Sequence, residues 1–229
     1  MGDINQLIFI QERSEQFEGP FLEVGSKDYG TTQDLRSLFS TGNEYVGVDM
    51  EDGPGVDIVI DLTGDFKQVD AKLGNKRFGT IFCLSVLEHC EDPFKMAQNL
   101  TLLLKPDGKI CISVPFSWQI HGYPNDYWRF TPEGIKKLFT RIQFDLKKTM
   151  AATSRENEFY QLDDDLGKIS FSFGKNRKRG HTFRGISAKF LKILSKIGIL
   201  SWLTSYRHVF APTGIFMIGE KTSKISRNV

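Results

Sequence analysis

The stretch Pro20-Phe-Leu-Glu-Val-Gly-Ser-Lys-Asp-Tyr-Gly30 decides the fold that this sequence predicts. Phe21–Val24 is a short apolar run that stops at Gly25, and a helical pattern follows Gly30, with Leu35, Leu38 and Phe39 at helical spacing. A strand, a glycine turn and a helix in this order let backbone N–H groups approach a ligand. Lys27 stands where a dinucleotide-binding fingerprint has its second glycine, so the turn alone also fits an ordinary strand–helix connection.

Four further apolar runs follow this stretch. Two of them end in an acid, at Asp49 and Asp61. A third, Phe78–Leu84, leads into Ser85-Val-Leu-Glu-His89, and a fourth covers residues 109–114 after the turn Pro106-Asp-Gly108. Short apolar runs between turn residues and helical patterns predict buried strands of a largely parallel sheet.

The composition is that of an ordinary globular chain. The 229 residues are 40% hydrophobic and 25% charged, which suffices for a full core in one domain. The net charge of +2 and the pI of about 8.3 are close to neutral, so the composition does not favour a nucleic-acid partner. Acids near the N-terminus and the lack of a long apolar run predict neither a signal peptide nor a membrane span.

The cysteines and histidines predict no metal site from their spacing. Cys83, Cys90 and Cys111 are not spaced as metal ligands, and neither are the carboxylates and histidines. Cys83 and Cys111 fall inside apolar runs, where cysteine behaves as a small buried hydrophobe. A sparse, odd number of cysteines fits a reducing compartment, so we predict a cytoplasmic protein.

Five segments together resemble the class I S-adenosylmethionine-dependent methyltransferases, in particular the branch that acts on small molecules. They are Leu22-Glu-Val-Gly25, Val48-Asp49, Ile60-Asp61, Leu87-Glu-His89 and Leu104-Lys-Pro-Asp-Gly108. The resemblance implies an α/β fold with a Rossmann-like, seven-stranded, mostly parallel sheet, helices on both faces and an antiparallel last strand. It also implies a single methyltransferase domain over residues 1–229, with an insertion at about 151–205 before that last strand.

The same resemblance implies S-adenosylmethionine as the cofactor, with S-adenosylhomocysteine as its product. Glu23 would steady the glycine loop and approach the cationic methionine part of the cofactor, because opposite charges attract. Gly25, Ser26 and Gly30 would line the same loop. The family's loop has a middle glycine and one residue fewer, so the loop here is expected to be wider over residues 26–29.

Acids at the ends of the next two strands complete the expected cofactor site. Asp49 would accept both ribose hydroxyls, with Met50 next to the adenine, although a turn aspartate is the alternative for Asp49. Asp61 would accept from the adenine amino group, with the backbone N–H of Leu62 facing a ring nitrogen. The expected contacts near the transferred methyl group and the edge of the cofactor are Leu84, Ser85 and His89.

The loop over residues 115–132 is dense in aromatic and polar side chains. Its segment His121-Gly-Tyr-Pro-Asn-Asp-Tyr-Trp-Arg-Phe-Thr-Pro132 resembles a loop of one subgroup of the family, often linked to modification of sugars or cell-surface glycans. Ligands bind at the carboxyl ends of parallel strands, which predicts an acceptor pocket here, with His121 as a candidate base. The alternative is that the loop packs on the core and that Arg129 pairs with Asp126. The predicted acceptor contacts are His121, Asp126, Tyr127 and Arg129.

The rest of the chain predicts helices over residues 3–18, 92–104 and 131–139, and strands over 143–149 and 213–220. Residues 151–180 carry charge runs typical of a solvated, mobile insertion. Residues 185–203 are predicted to form an amphipathic helix with lysines opposite an apolar face. Core packing, a homodimer contact and peripheral contact with a membrane all fit that helix.

These observations predict an enzyme that transfers a methyl group to a small-molecule hydroxyl or amine acceptor, with a sugar or glycan precursor as one such acceptor. An NAD-binding oxidoreductase would share a similar sheet, but the missing second glycine and the acids at Asp49 and Asp61 fit it less well. A non-catalytic homologue that binds a partner through residues 185–203 is the other alternative. It would retain cofactor binding without turnover.

Overall fold

A computed structural model describes residues 4–30, 34–40, 42–122, 125–153, 155–162, 173–178, 180, 182–199 and 212–222. The chain divides into two compact units. The first unit comprises residues 1–162 and 212–229, and the second comprises residues 163–211.

The first unit is an α/β structure. Its strands are β1 Phe21–Val24, β2 Tyr45–Asp49, β3 Ile58–Val59, β4 Phe78–Leu84, β5 Leu104–Pro115, β6 Ile142–Phe144, β7 Met150–Ala152, β8 Phe159–Gln161 and β9 Gly214–Lys221. Its α-helices are α1 Ile4–Gln11, α2 Arg36–Phe39, α3 Phe66–Lys72, α4 Pro93–Leu103 and α5 Pro132–Leu138. Short 3-10 turns cover Ser14–Gln16, Leu87–His89 and Leu146–Lys148.

The strands form one sheet in the order β3-β2-β1-β4-β5-β9-β7-β8, and β6 also pairs with β9. Strands β1 to β5 pair in parallel, and β9 runs antiparallel to β5. The predicted Rossmann-like sheet with an antiparallel last strand is therefore confirmed. The chain order reverses between β1 and β4, where sheets of this type bind their ligands at the carboxyl ends of the strands.

The predicted number of seven strands is wrong, because the described part of the sheet contains nine. The continuous strand predicted over 143–149 is interrupted after Phe144, where the side chain of Asp145 accepts from the backbone N–H of Lys147. This bond starts the turn Leu146–Lys148, and the chain returns as the hairpin β7–β8, which extends the sheet beyond β9.

Helices cover both faces of the sheet, as predicted. One face packs against α3, α4 and α5 through an aliphatic cluster that includes Leu22, Val69, Leu100 and Ile135. The other face carries an aromatic layer in which Phe82 lies 5.1 Å from the ring centroid of Phe39 and 5.3 Å from that of Phe17. Phe9 of α1 belongs to the same layer, so the aromatic rings fasten α1 and α2 to the sheet.

Local signals set the bounds of most helices. Asp92 caps α4 by accepting from the backbone N–H of Lys95 at 2.9 Å, and Thr131 caps α5 through Gly134 at 3.1 Å. Both helices match their predictions. The helix predicted over 3–18 is shorter than expected, since α1 ends at Gln11 and only the 3-10 turn Ser14–Gln16 follows.

The second unit is described for two helices, α6 Phe173–Lys178 and α7 Thr182–Lys196. α6 lies within the segment expected to be a solvated insertion. α7 starts three residues before the helix predicted over 185–203, and residues 200–203 lie outside the described part. Among the described residues, no helix has the length and apolar character needed to cross a membrane.

Gly79 in β4 generates a stability prediction. A Cβ atom there would lie 2.4 Å from the carbonyl oxygen of Glu18 and 2.6 Å from that of Gly19, and both contacts are to backbone. We expect Gly79→Ala to lower the free energy of unfolding by about 1–3 kcal/mol, the usual cost of overpacking. Urea denaturation followed by circular dichroism measures it.

Gly214→Ala is the matched control in the same sheet. Its Cβ would lie 3.6 Å from the carbonyl oxygen of Val114, an ordinary contact, so the free energy of unfolding should stay close to that of the wild type. Equal losses in the two variants would contradict the steric argument.

Candidate cofactor and acceptor site

The glycine turn after β1 is a close backbone crossing. Gly25 has a φ of +74°, and a Cβ atom on it would lie 2.6 Å from Cγ2 of Val86. The backbone N–H groups of Gly25 and Ser26 both donate to the carbonyl oxygen of Val48, at 2.9 and 3.1 Å. The ends of β1, β2 and β4 therefore meet at one point of the sheet edge.

The wider part of the loop, residues 26–30, is supported by the turn that follows β2. The backbone N–H of Asp28 donates to the carbonyl oxygen of Pro54 at 2.8 Å, and Lys27 pairs with Glu51 at 2.7 Å. Gly30 donates its N–H to Oδ1 of Asp28 at 2.7 Å. The hydroxyl oxygen of Ser26 is buried and has no hydrogen-bond partner among the described residues, so an acceptor or donor position in the loop is unused.

Glu23 lies on the same side of β1 as Phe21, beneath α2. Its Oε2 accepts from the hydroxyl of Tyr45 at 2.7 Å, and the Arg36 guanidinium lies 5.0 Å from the centre of the Tyr45 ring. Burial raises the pKa of Glu23 to about 7, partly opposed by the Tyr45 hydrogen bond and the charge of Arg36, while the charge of Asp34 acts in the same direction as burial. A cation next to this carboxyl group would stabilise its charged form.

Asp49 ends β2 beside the glycine loop. Its Oδ2 accepts from the backbone N–H of Lys27 at 3.2 Å, and its Oδ1 accepts from that of Glu51 at 3.1 Å. Each carboxylate oxygen can accept more than one hydrogen bond, so Asp49 can serve the turn and still bind a pair of hydroxyl groups. Met50 next to it is 65% exposed at the rim.

Asp61 and Leu62 follow β3 in a tight turn. Oδ1 of Asp61 accepts from the backbone N–H and the hydroxyl of Thr63, at 2.8 and 2.6 Å. Leu62 is buried, and the buried side chain of Asn99 donates to its carbonyl oxygen at 2.7 Å. Helix α4 therefore fixes the backbone of the turn that is expected to contact the adenine.

Leu84 ends β4 and Ser85 follows it, and the sequence did not predict the hydrogen-bond partner of Ser85. Ser85 has a φ of +54°, an uncommon conformation for a residue other than glycine. The buried Gln6 of α1 donates from Nε2 to the hydroxyl oxygens of Ser85 and Ser113, both at 2.6 Å. Helix α1 thus reaches the carboxyl ends of β4 and β5 and covers this edge of the site.

The aromatic loop is fastened to the 3-10 turn after β4. The backbone N–H groups of Tyr127 and Trp128 donate to the carbonyl oxygen of Glu88, at 2.7 and 3.2 Å. The indole N–H of Trp128 donates to the carbonyl oxygen of Cys90 at 2.8 Å. Nδ1 of His89 lies 2.5 Å from the carbonyl oxygen of Asn125, so His89 contacts the loop directly.

The ion pair considered as an alternative for Arg129 and Asp126 is present. Arg129 bonds both oxygens of Asp126, at 2.5 and 2.7 Å, and holds the pKa of that carboxyl group well below its usual range. Asp126 in turn lies 3.2 Å from Nδ1 of His121 and accepts from the backbone N–H of His121 at 2.9 Å. Tyr127 is 46% exposed. Asp126 and Arg129 therefore shape the loop and orient His121.

Glu88, His89 and His121 converge, although His121 is distant from the other two in the sequence. One ligand-type atom from each lies within 4.8 Å of those from the other two. Glu88 is 0% exposed, and neither of its carboxylate oxygens has a hydrogen-bond partner among the described residues. Burial raises the pKa of Glu88 to about 8 and lowers that of His89. Sequence spacing did not indicate this cluster.

A family profile described as "Methyltransferase domain" matches residues 11–153. Two curated relatives, both named ubiquinone biosynthesis O-methyltransferase, come from Actinobacillus pleuropneumoniae serotype 5b (strain L20) and serotype 7 (strain AP76), and are 35% and 28% identical over 122 residues. Each alignment covers 47% of this chain and 51% of the relative, so the chain spans about half the length of these relatives.

Solved structures share the fold. A SAM-dependent methyltransferase from Archaeoglobus fulgidus has a TM-score of 0.55 at 16% identity, covering 96% of this chain and 95% of its own. The 1,6-didemethyltoxoflavin-N1-methyltransferase of Burkholderia thailandensis has a TM-score of 0.51 at 14% identity, covering 96% and 78%.

The chain belongs to the methyltransferase-domain family, since the profile matches well over half of its residues. Family and fold agree with the predicted resemblance to the S-adenosylmethionine-dependent methyltransferases. The residues present fit S-adenosylmethionine as the cofactor. The buried Ser26 hydroxyl is unused, and the Glu23 carboxyl is suited to a cationic ligand.

The pKa of Glu23 generates a prediction about cofactor binding. With a pKa of about 7, Glu23 is mostly neutral at pH 6 and mostly charged at pH 8.5. The charged form attracts a cationic ligand, so S-adenosylmethionine should bind about tenfold more weakly at pH 6 than at pH 8.5. Isothermal titration calorimetry at both values measures the ratio.

Glu23→Gln is the comparison for this measurement. This variant keeps the size of the side chain and cannot titrate. The ratio of the dissociation constants at pH 6 and pH 8.5 should therefore shrink to the part that the ionisable groups of the cofactor cause. An equal ratio in the wild type and in Glu23→Gln would contradict a role for the Glu23 charge.

Proposed function

We propose that this protein transfers a methyl group from S-adenosylmethionine to a hydroxyl group of a small-molecule acceptor. The observation that carries the proposal is the meeting of Gly25, Asp49 and Ser85 at the carboxyl edge of β1, β2 and β4, beside the aromatic loop. The two curated relatives named as O-methyltransferases support a hydroxyl over an amine as the acceptor group.

Each side of the site then has its own task. Glu23, Gly25, Ser26 and Gly30 would hold the methionine part of the cofactor, and Asp49 would accept the ribose hydroxyls. The adenine would be bounded by Met50, Asp61 and Leu62, and the transferred methyl by Leu84, Ser85 and His89.

The cofactor, when bound, supplies a methyl group that is already activated on a sulfonium. The chain therefore mainly has to align the acceptor and exclude water. Helix α1 contributes to exclusion, because Gln6 bonds Ser85 and Ser113 at the mouth of the site. The hydrogen bonds from the aromatic loop to Glu88 and Cys90 keep the acceptor side rigid.

The acceptor pocket would be lined by His121, Asp126, Tyr127 and Arg129. His121 is the candidate base for the acceptor hydroxyl, and Asp126 orients its ring at 3.2 Å from Nδ1. The exposed aromatic rings Trp118, Tyr127 and Trp128 suit a flat or ring-shaped acceptor such as a sugar or glycan precursor. The three cysteines are free and buried, which agrees with our proposal of a cytoplasmic location.

The experiment that tests the proposal is isothermal titration with S-adenosylmethionine, S-adenosylhomocysteine and NAD, followed by methyl-transfer assays read by mass spectrometry on hydroxyl- and amine-bearing acceptors. We expect the first two ligands to bind and NAD not to bind. Asp49→Ala should weaken binding at least about tenfold, because each hydrogen bond to a charged group contributes about 1.5–3 kcal/mol.

Asp52→Ala is the control, since Asp52 is exposed in the turn after β2 and should leave affinity unchanged. Cofactor binding without transfer to any acceptor would support the non-catalytic alternative. Equal affinities of Asp49→Ala and the wild type would contradict the ribose role of Asp49.

Helix α7 supports a second proposal, that the protein docks on an anionic lipid surface. Its exposed apolar residues recur every three or four positions, and lysines stand between them. The chain contains no aspartate or glutamate from residue 166 to residue 219. An apolar stripe among basic residues without acids complements an anionic membrane surface better than a second copy of the same basic helix. The stripe consists of Phe183, Ile186, Phe190, Ile193 and Ile197.

Vesicle sedimentation tests this docking. We expect binding to phosphatidylglycerol-containing vesicles and little to pure phosphatidylcholine. Reversing two exposed lysines, Lys189→Glu with Lys192→Glu, should weaken binding at least about thirtyfold, at roughly 1 kcal/mol for each charge near the surface.

The matched control is Lys147→Glu with Lys148→Glu, also exposed lysines but in the first unit, and it should bind as the wild type does. A stable dimer with no vesicle binding would overturn the proposal in favour of a homodimer contact.

A further inference from the structure

Glu88 has a buried carboxylate at the carboxyl end of β4. It is 0% exposed, and both of its oxygens are without a hydrogen-bond partner among the described residues. Its backbone carbonyl, by contrast, accepts two bonds from the aromatic loop. A buried acid without a partner is costly, so its retention at the carboxyl end of β4 needs a ligand or another explanation.

Two histidines face this carboxylate. Nε2 of His89 lies 3.9 Å from Oε1 of Glu88. The rings of His89 and His121 meet edge to face, with 4.9 Å between their centroids. Ligands of one ion at bond lengths of about 2.0–2.2 Å stand roughly 3–4 Å apart, so small side-chain rotations would bring all three onto a single ion.

The other ring nitrogen of each histidine is already engaged. Nδ1 of His89 lies 2.5 Å from the carbonyl oxygen of Asn125. Nδ1 of His121 lies 3.2 Å from Oδ2 of Asp126 and 3.3 Å from the carbonyl oxygen of Gln119. Metal-binding histidines typically donate their second N–H to a carbonyl or carboxylate oxygen, which orients the ring and leaves Nε2 for the ion.

We propose that Glu88, His89 and His121 bind a divalent transition-metal ion of the zinc type, with at least one coordination position left for an acceptor oxygen. Two imidazoles and one carboxylate are a common donor set for such ions, and three protein ligands leave a tetrahedral ion open to a further ligand. Magnesium fits less well, because it prefers an all-oxygen, octahedral environment.

The ion would change the task of His121 in the proposed reaction. Nε2 of His121 cannot both bind a metal and remove a proton. A hydroxyl bound to the open position would instead be acidified by the metal, which replaces a base. This consequence rests on the proposed methyl transfer to a hydroxyl, whereas metal binding itself does not.

Isothermal titration of the full-length protein with zinc chloride, without cofactor, tests the site. We expect one ion per chain, with affinity lowered at least about a hundredfold in Glu88→Gln and in His121→Ala. Loss of an outer partner alone typically costs 10–100-fold, so loss of a direct ligand should cost at least the upper part of that range. Cobalt(II) titration should give the visible absorption of a low-coordinate site in the wild type only.

Glu91→Gln is the matched control, because Glu91 is exposed near the same 3-10 turn, and it should bind zinc as the wild type does. Thermal unfolding and S-adenosylhomocysteine affinity show whether each variant keeps its fold. If Glu88→Gln does not fold, the zinc affinity of His121→Ala decides the test, because His121 is on the more accessible side of the cluster.

Two results would overturn the proposal. One is the absence of saturable zinc binding by the wild type, and the other is unchanged binding in both ligand variants. Neither result bears on the methyl-transfer proposal, which is judged by cofactor titration and by acceptor assays. Transfer that continues at full rate after dialysis against a chelator would refute the catalytic role of the ion and return His121 to the role of base.

Discussion

The geometry of the site depends on the close passage of backbone segments at the ends of β1, β2 and β4. Gly25 takes a left-handed conformation against Val86, and neither a side chain nor a different φ would fit there. Gly47 and Gly55 make a second close approach, since a Cβ atom on Gly47 would lie 2.4 Å from the carbonyl oxygen of Gly55. Because Gly25 packs against the side chain of Val86 and Gly47 against the backbone of Gly55, these segments are held close together before any ligand binds.

A second constraint connects the acceptor side to the same core. The carbonyl oxygen of Glu88 accepts from the backbone N–H groups of Tyr127 and Trp128, and Trp128 also bonds Cys90. The ion pair of Asp126 with Arg129 completes the loop. Residues 126–129 of the loop are therefore fastened through hydrogen bonds to a short segment after β4, and not only through aromatic rings. This explains how a long connection can carry well-oriented polar groups such as His121.

Local sequence signals predicted the central fold well. The apolar runs of β1, β2 and β4 and the bounds of α4 and α5 depend on residues near one another in the chain, whereas the antiparallel direction of β9 was implied by the family resemblance. For the same reason, the residues at the carboxyl ends of these strands could be predicted to lie along one edge. Their individual contacts with the cofactor remain predictions.

The parts that the sequence did not predict depend on distant contacts. The turn at Asp145 divides an alternating stretch into β6, which pairs with β9, and β7, which pairs with both β9 and β8. Residues 105–108, expected as a turn after α4, lie within β5, where the register against β4 shifts. Gln6 is one of three polar residues in α1, and its bonds to Ser85 and Ser113 require the tertiary fold.

Two buried acidic side chains differ in the partners that compensate their burial. Glu23 and Glu88 both have a pKa raised by burial, to about 7 and about 8. Glu23 has a hydroxyl partner in Tyr45 and the charge of Arg36 nearby, so its burial is partly compensated within the protein. Glu88 has no such side-chain partner among the described residues, and two imidazoles stand next to it.

A buried carboxyl group with partners, such as Glu23, can be stable without a ligand, and a nearby cation would still favour its charged form. A buried carboxylate like that of Glu88 is destabilising unless a proton or a positive ion joins it, because burial without a partner disfavours charge. Replacing it with an apolar residue of similar size would remove that cost. Its position between the end of β4 and the aromatic loop is therefore better explained by chemistry at the candidate site than by packing of the core.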